Sequence, residues 1–178
     1  QRGLPGNTTK WRAVRDEIYE EIMAKGWSPE RRAFVQYYGG DVLDASNLLM
    51  PLVKFIGPRD PRMLATLEAI ERDLVSDSLV YRYDPAASPD GLRGSEGTFS
   101  MCTFWYVQAL ARSGRLRDAR IAFEKMHTYA NHLGLLSEDV DAKTGSQWGN
   151  FPQAYSHVGL VNAAYRIAQR LDKPSFVG

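Results

Sequence analysis

An all-α fold, assembled from alternating inner and outer helices, is the architecture expected of this chain. Three stretches carry no Asp, Glu, Lys or Arg: Ala45 to Val53, Thr98 to Ala111, and Ala154 up to Arg166. A helix that is apolar around most of its circumference is buried rather than amphipathic. The first two stretches are each followed by a helix with charges on one side only, and the buried stretches begin about 55 residues apart. Such a period suggests helix pairs in an array, stacked openly or closed into a toroid.

Taken in order, the first helix runs from Thr8, a good N-cap, to Lys25, with Gly26 ending it. Trp11, Val14, Ile18 and Ile22 recur on one face, with Arg12, Arg15, Asp16, Glu20 and Glu21 elsewhere, so one buried face is expected. The stretch Arg32 to Tyr38 is short, aromatic and broken by Gly39 and Gly40, and should be extended or a loop. Asp44 is placed to cap the first inner helix, which Pro51 should kink. An outer helix from about Asp60 to Val75 has Pro61 in its first turn and a stripe of Met63, Leu67, Ile70 and Leu74. A loop from Ser76 to Gly97 leads into the second inner helix at Thr98. The outer helix after it carries Leu116, Ala119, Phe123, Met126 and Ala130 as its stripe. The loop from Leu135 to Gln153 precedes the third inner helix.

Composition narrows the function classes. With 44% hydrophobic and 24% charged residues in 178, the chain has the makings of one domain with a real core, and neither disorder nor a membrane span is suggested. The 22 basic and 21 acidic residues are spread along the chain, so no basic face points to nucleic acid. The single cysteine, Cys102, sits in an apolar run and reads as a small buried hydrophobe, with no cysteine cluster for zinc. A cytoplasmic protein is expected. The chain opens on Gln1 and enters its first helix almost at once, which suggests the C-terminal part of something longer.

In an array of this kind the loops that enter the inner helices emerge at one end, where the N-termini of those helices also point. These loops run roughly Tyr37 to Asp44, Arg82 to Gly97 and Leu135 to Gln153. They are rich in aromatic faces (Tyr37, Tyr38, Tyr83, Trp148) and in polar partners (Asp41, Arg82, Arg93, Glu96, Glu138), with His157 just beyond the third loop. Sugars present apolar ring faces and a rim of hydroxyls, so sugar sites combine stacking aromatics with Arg and carboxylates.

The segments VQYYGGDVLDASNLLMPLV, GSEGTFSMCTFW and GLLSEDVDAKTGSQWGNFPQAYSHVGLVNAA resemble the C-terminal half of the bacterial glucoamylase-like proteins of glycoside hydrolase family 15. The likeness covers essentially the whole chain, and GNFPQAYSH is its most specific part. It implies that residues 1–178 form half of an (α/α)6 toroid, six helices of twelve, and that the N-terminal half of the same protein completes it. The activity implied is inverting hydrolysis of α-glucosidic bonds, one Glu serving as acid and one as base, on an α-glucoside substrate. No metal or organic cofactor is implied. Glu138 of LLSEDVD matches the family's general base, and Arg82 of YRY resembles its sugar-clamping Arg. Glu96, Tyr37, Trp148, Asp41 and His157 are the further candidate substrate contacts. The general acid belongs to an earlier motif that this chain does not contain, so the chain alone is not expected to hydrolyse anything.

Each candidate has a plainer alternative. Glu138 is otherwise a solvated loop carboxylate or the cap of a turn, Glu96 a cap for the helix near Thr98, and Arg82 half of an ion pair. Asp44 reads more as a cap than as a ligand contact. Trp148 and Tyr37 otherwise cover the core, Trp105 belongs to it, and His157 ties the third loop to its helix. Two rival functions stay open at this point. One is a non-catalytic tetratricopeptide-like interaction module, suggested by ALARSGRLRDARIAFEK but opposed by a period near 55 where such repeats use about 34. The other is a lyase or a retaining glycosidase on the same toroid.

Overall fold

A computed structural model of the chain describes residues 3, 5–84, 86–87 and 97–171. Glu96 and Arg93 lie outside the described residues. Helix α1 (Thr8–Lys25) has the expected length, but Asn7 rather than Thr8 caps it, its Oδ1 accepting the Lys10 N–H at 3.0 Å. Gly26 closes the helix by donating its N–H to the Ile22 carbonyl. The expected buried face of α1 is not there. No residue of the helix is buried; Trp11 is 62% exposed, Val14 and Ile18 are exposed too, and Ile22 is half-buried. The reason is a shortage of neighbours: α1 meets β1 (Trp27–Ser28), and Tyr19 meets the Phe55 ring at 5.0 Å. Strand β1 pairs antiparallel with β2 (Ala33–Phe34), and bends and turns follow, so the stretch is part extended and part loop, where either was expected.

The first inner helix is a correction. In place of a kinked α-helix to Val53, a 3-10 helix spans Ala45–Leu49 and gives way to turns. Pro51 has no N–H, and its ring opposes the carbonyl four residues back, that of Asn47. That carbonyl instead accepts the Met50 N–H, and Leu52 donates three residues back to Leu49. Ala45 and Leu48 are buried, while Val53 is exposed. Asp44 does cap this helix, accepting the Ser46 N–H at 2.7 Å.

Helix α2 (Pro61–Leu74) follows the sequence pattern closely. Asp60 caps it, Pro61 opens it, and Met63, Leu67, Ile70 and Leu74 are all buried. Its Thr66 hydroxyl accepts the Phe34 N–H at 3.0 Å, which ties α2 to β2. The next loop begins with an unforeseen hairpin, β3 (Val75–Ser76) against β4 (Leu79–Val80). Strand β5 (Thr98–Phe99) then leads into α3 (Ser100–Ser113), which has ten buried residues and is the one inner helix enclosed as expected. Gly114, at φ 105°, turns the chain into α4 (Leu116–His127). Ala119, Ala122 and Met126 of α4 are buried, and Leu116 and Phe123 pack on the core; Ala130 lies past its end.

Beyond β6 (Asp139–Val140) and β7 (Gln147–Trp148) comes α5 (Ala154–Leu171). Its burial is also a correction. Ser156, Gly159, Ala163 and Ile167 face inward, while Tyr155, Val158, Val161 and Tyr165 form an exposed stripe. Helix α3 therefore sits at the centre, with α4 and α5 both packed on it. Among the described residues no helix is long and apolar enough to cross a membrane.

The α3–α5 contact rests on a missing side chain. A Cβ at Gly159 would come within 3.0 Å of the Phe104 side chain, which is itself fully buried. Gly159→Val is expected to lower stability by about 1–3 kcal/mol through overpacking. Thermal melting is the check, and an unchanged midpoint would mean that α5 does not press on Phe104.

Candidate functional site

The site is organised by a three-stranded antiparallel sheet. Asp139 of β6 lies between Phe99 of β5 and Trp148 of β7, and Val140 lies between Thr98 and Gln147. The Thr98 hydroxyl reinforces the register by donating to the Val140 carbonyl at 2.7 Å. Glu138 is the residue just before β6, and its backbone is held from both sides. Its N–H donates to the Asn150 carbonyl at 3.0 Å, and its carbonyl accepts the Ser100 N–H, the first of α3, at 2.8 Å. The side chain is half-buried. Its Oε2 accepts the Asn150 backbone N–H at 3.0 Å and the Asn150 side-chain amide at 2.8 Å.

Arg82 reaches the same place from another part of the chain. Its carbonyl accepts the Ala45 N–H at 2.8 Å, and its Nε donates to Asp44 Oδ1 at 2.6 Å. The guanidinium also stands 6.0 Å from the Trp105 ring centroid, within reach of a cation–π contact. Asp44 is 4% exposed and accepts from Gln36 on its other oxygen at 3.3 Å. The Asp44 residue is thus both helix cap and anchor for Arg82, and Arg82 is in an ion pair as its plainer reading had it. Arg82 and Glu138 nevertheless line one open depression of about 220 Å³, with Tyr83, Gly97, Phe99 and Asp139.

The other sequence candidates are placed more variously. Trp148, on β7 opposite Asp139, is 63% exposed. Tyr37 is 55% exposed, and its ring lies over Gly40, where a Cβ would meet it. Asp41 lines a different hollow, of about 340 Å³, together with Arg31, Asp73 and Asp84. His157 is tied to backbone through both ring nitrogens: Leu136 N–H approaches Nε2 at 3.4 Å, and Nδ1 is 2.7 Å from the Gln153 carbonyl. An Nδ1–H tautomer satisfies both contacts. Glu96 lies outside the described residues. Cys102 is fully buried, and burial pushes its thiol far up, which fits a packing role. Trp105 packs on the core.

Sequence reasoning missed Asn150 and Gly149. Both lie inside the GNFPQAYSH motif and carry no charge, so their position in that motif was the one signal that could have found them. It also treated Asp44 and Arg82 apart, because nothing in their local patterns connects two residues that meet only through the fold.

Residues 1–165 match the family described as Glycosyl hydrolases family 15. A trehalase of Thermoplasma acidophilum is 44% identical over 94% of this chain, and one of Mycolicibacterium smegmatis is 42% identical over 93%. The chain spans 28% and 25% of the length of these two relatives. A solved wild-type glycosidase superposes with a TM-score of 0.77 at 22% identity, covering 94% of this chain and 46% of its own. A variant glycosidase in complex with glucose superposes with a TM-score of 0.74.

The Asp44–Arg82 pair makes stability depend on pH. Burial alone would raise the Asp44 carboxyl, but the hydrogen bonds from Arg82 and Ser46 outweigh it and hold the group below the usual carboxylate range. A carboxyl depressed in the folded state contributes stability that is fully present above its unfolded value of about 3.9 and lost as pH falls through the lower folded value. Asp44→Asn is therefore expected to be less stable than the parent by about 1–2 kcal/mol near neutral pH. The gap should close below about pH 4, as measured by thermal melting across pH. A gap that is the same at all pH values would contradict an ionised Asp44.

Proposed function

The chain belongs to the glycosyl hydrolases of family 15, and on that membership we propose that the protein hydrolyses an α-glucosidic bond with inversion, releasing β-glucose. Glu138 is the general base. The observation that carries this reading is the shared depression: the two residues whose motifs resemble the family's base and its sugar clamp come from distant parts of the sequence and line one hollow. In the reaction Glu138 takes a proton from water, the water oxygen bonds to the anomeric carbon, and the glycosidic bond breaks. The leaving oxygen takes its proton from a second carboxylic acid outside this chain. The guanidinium of Arg82, fixed by Asp44, holds sugar hydroxyls in this scheme, and exposed Trp148 and Tyr37 offer ring faces at the rim.

Trehalose is the substrate proposed first, because the curated relatives at 44% and 42% identity are named trehalases. A depression of about 220 Å³ is smaller than complete small-molecule sites of roughly 300–1,000 Å³, which fits one wall of a larger pocket. On this reading residues 1–178 are the C-terminal half of an (α/α)6 toroid. The exposed stripes of α1 and α5 are then the faces on which the N-terminal half of the protein closes it.

The test is glucose release from trehalose, maltose and isomaltose by the full-length protein, with NMR identifying the first anomer formed. β-Glucose is expected, and Glu138→Gln should lower kcat by on the order of 10²-fold or more. α-Glucose as the first product, or a Glu138→Gln protein as active as its parent, contradicts the proposal.

A further inference from the structure

We infer that Asn150, together with the tight turn at Gly149, is a positioning element that fixes Glu138 by one carboxylate oxygen, so that Oε1 is the atom that receives the water proton. The inference rests on the reading of Glu138 as general base. Both side-chain hydrogen bonds to Glu138 fall on Oε2, and both come from Asn150, one from its backbone N–H and one from its amide. A third bond, from the Glu138 N–H to the Asn150 carbonyl, fixes the backbone of the base to the same residue. A carboxylate with one oxygen held by two donors cannot rotate without giving both up, so the second oxygen keeps one direction relative to the depression that Glu138 lines with Arg82.

Gly149 makes the grip possible. It sits at φ 74°, in the left-handed region that glycine adopts without strain. A Cβ there would lie 2.9 Å from both Cβ and Oε2 of Glu138. A side chain at 149 would therefore displace the carboxylate that Asn150 holds. The approach of backbone to side chain and the double donation to one oxygen are separate observations, and they point to the same geometry. A general base gains from a fixed direction, because a misplacement of about 1 Å at the reacting atoms lowers rates on the order of 10²-fold.

The test compares Asn150→Ala, Asn150→Ser, Gly149→Ala and Glu138→Gln in the full-length protein, with kcat, KM and melting temperature measured for each. Asn150→Ala removes one charge-assisted donor and leaves the backbone N–H, so kcat is expected to fall on the order of 10-fold with KM within about 2-fold. Asn150→Ser, which keeps a hydroxyl donor, should recover part of that loss. Gly149→Ala should lower kcat more than Asn150→Ala does. The inference is overturned if Asn150→Ala keeps the parent kcat while Glu138→Gln is inactive. It is also overturned if the kcat loss follows a lowered melting temperature and Asn150→Ser restores nothing. If Glu138→Gln itself is fully active, the base reading fails, and this inference fails with it.

Discussion

Both backbone polar groups of Glu138 are hydrogen-bonded to other segments of the chain. Its N–H is taken by Asn150 and its carbonyl by Ser100, so one residue joins the third loop to the first turn of the central helix. Strand β6 then carries that placement into the sheet, where Asp139 is flanked by β5 and β7. Around this node the neighbouring segments find their positions. Gln153 N–H bonds to the Leu136 carbonyl, and the Ser156 hydroxyl bonds to Ser137, which fixes where α5 begins. The node is anchored to the core through Ser100, the buried first residue of α3, a helix with ten buried residues. Loops bear the candidate site and the packed helix bears the stability.

The second half of the site is held by charge rather than by sheet. Buried Asp44 and the less buried Arg82 are joined at 2.6 Å, and the backbone bond from Ala45 to Arg82 brings the two segments together. Removing water from a carboxylate is costly unless it is paired and hydrogen-bonded. Asp44 satisfies that condition with Arg82, Ser46 and Gln36. The arrangement gives the guanidinium a fixed base while a part of it stays at the depression. A short 3-10 helix, where a long α-helix was expected, serves as the support.

Much of this fold was legible in the sequence because period and punctuation are local. The stripe of α2, its Asp60–Pro61 start and the uncharged run of α3 each state their structure within a few residues. The two misread helix faces share a cause. An apolar face announces that it wants a neighbour without saying whether one is present, and so the stripes of α1 and α5 were read as buried although Trp11 and Tyr165 are exposed. The strands span two residues each, too few for an alternating pattern to register. In the site, the likeness of LLSEDVD and YRY to a family drew attention to Glu138 and Arg82. Asp44 was legible as a cap, but its pairing with Arg82 and the grip of Asn150 on Glu138 emerged only from three-dimensional contact.

The roles proposed for Glu138 and Arg82 meet their sharpest check in a structure of the Glu138→Gln protein with trehalose bound. One glucosyl ring is expected in contact with the Arg82 guanidinium, with a water between the residue-138 side chain and the anomeric carbon. A second carboxyl is expected about 6.5–9.5 Å from residue 138, across the scissile bond. A spacing near 5–5.5 Å, or a sugar bound away from Arg82 and residue 138, would contradict those roles.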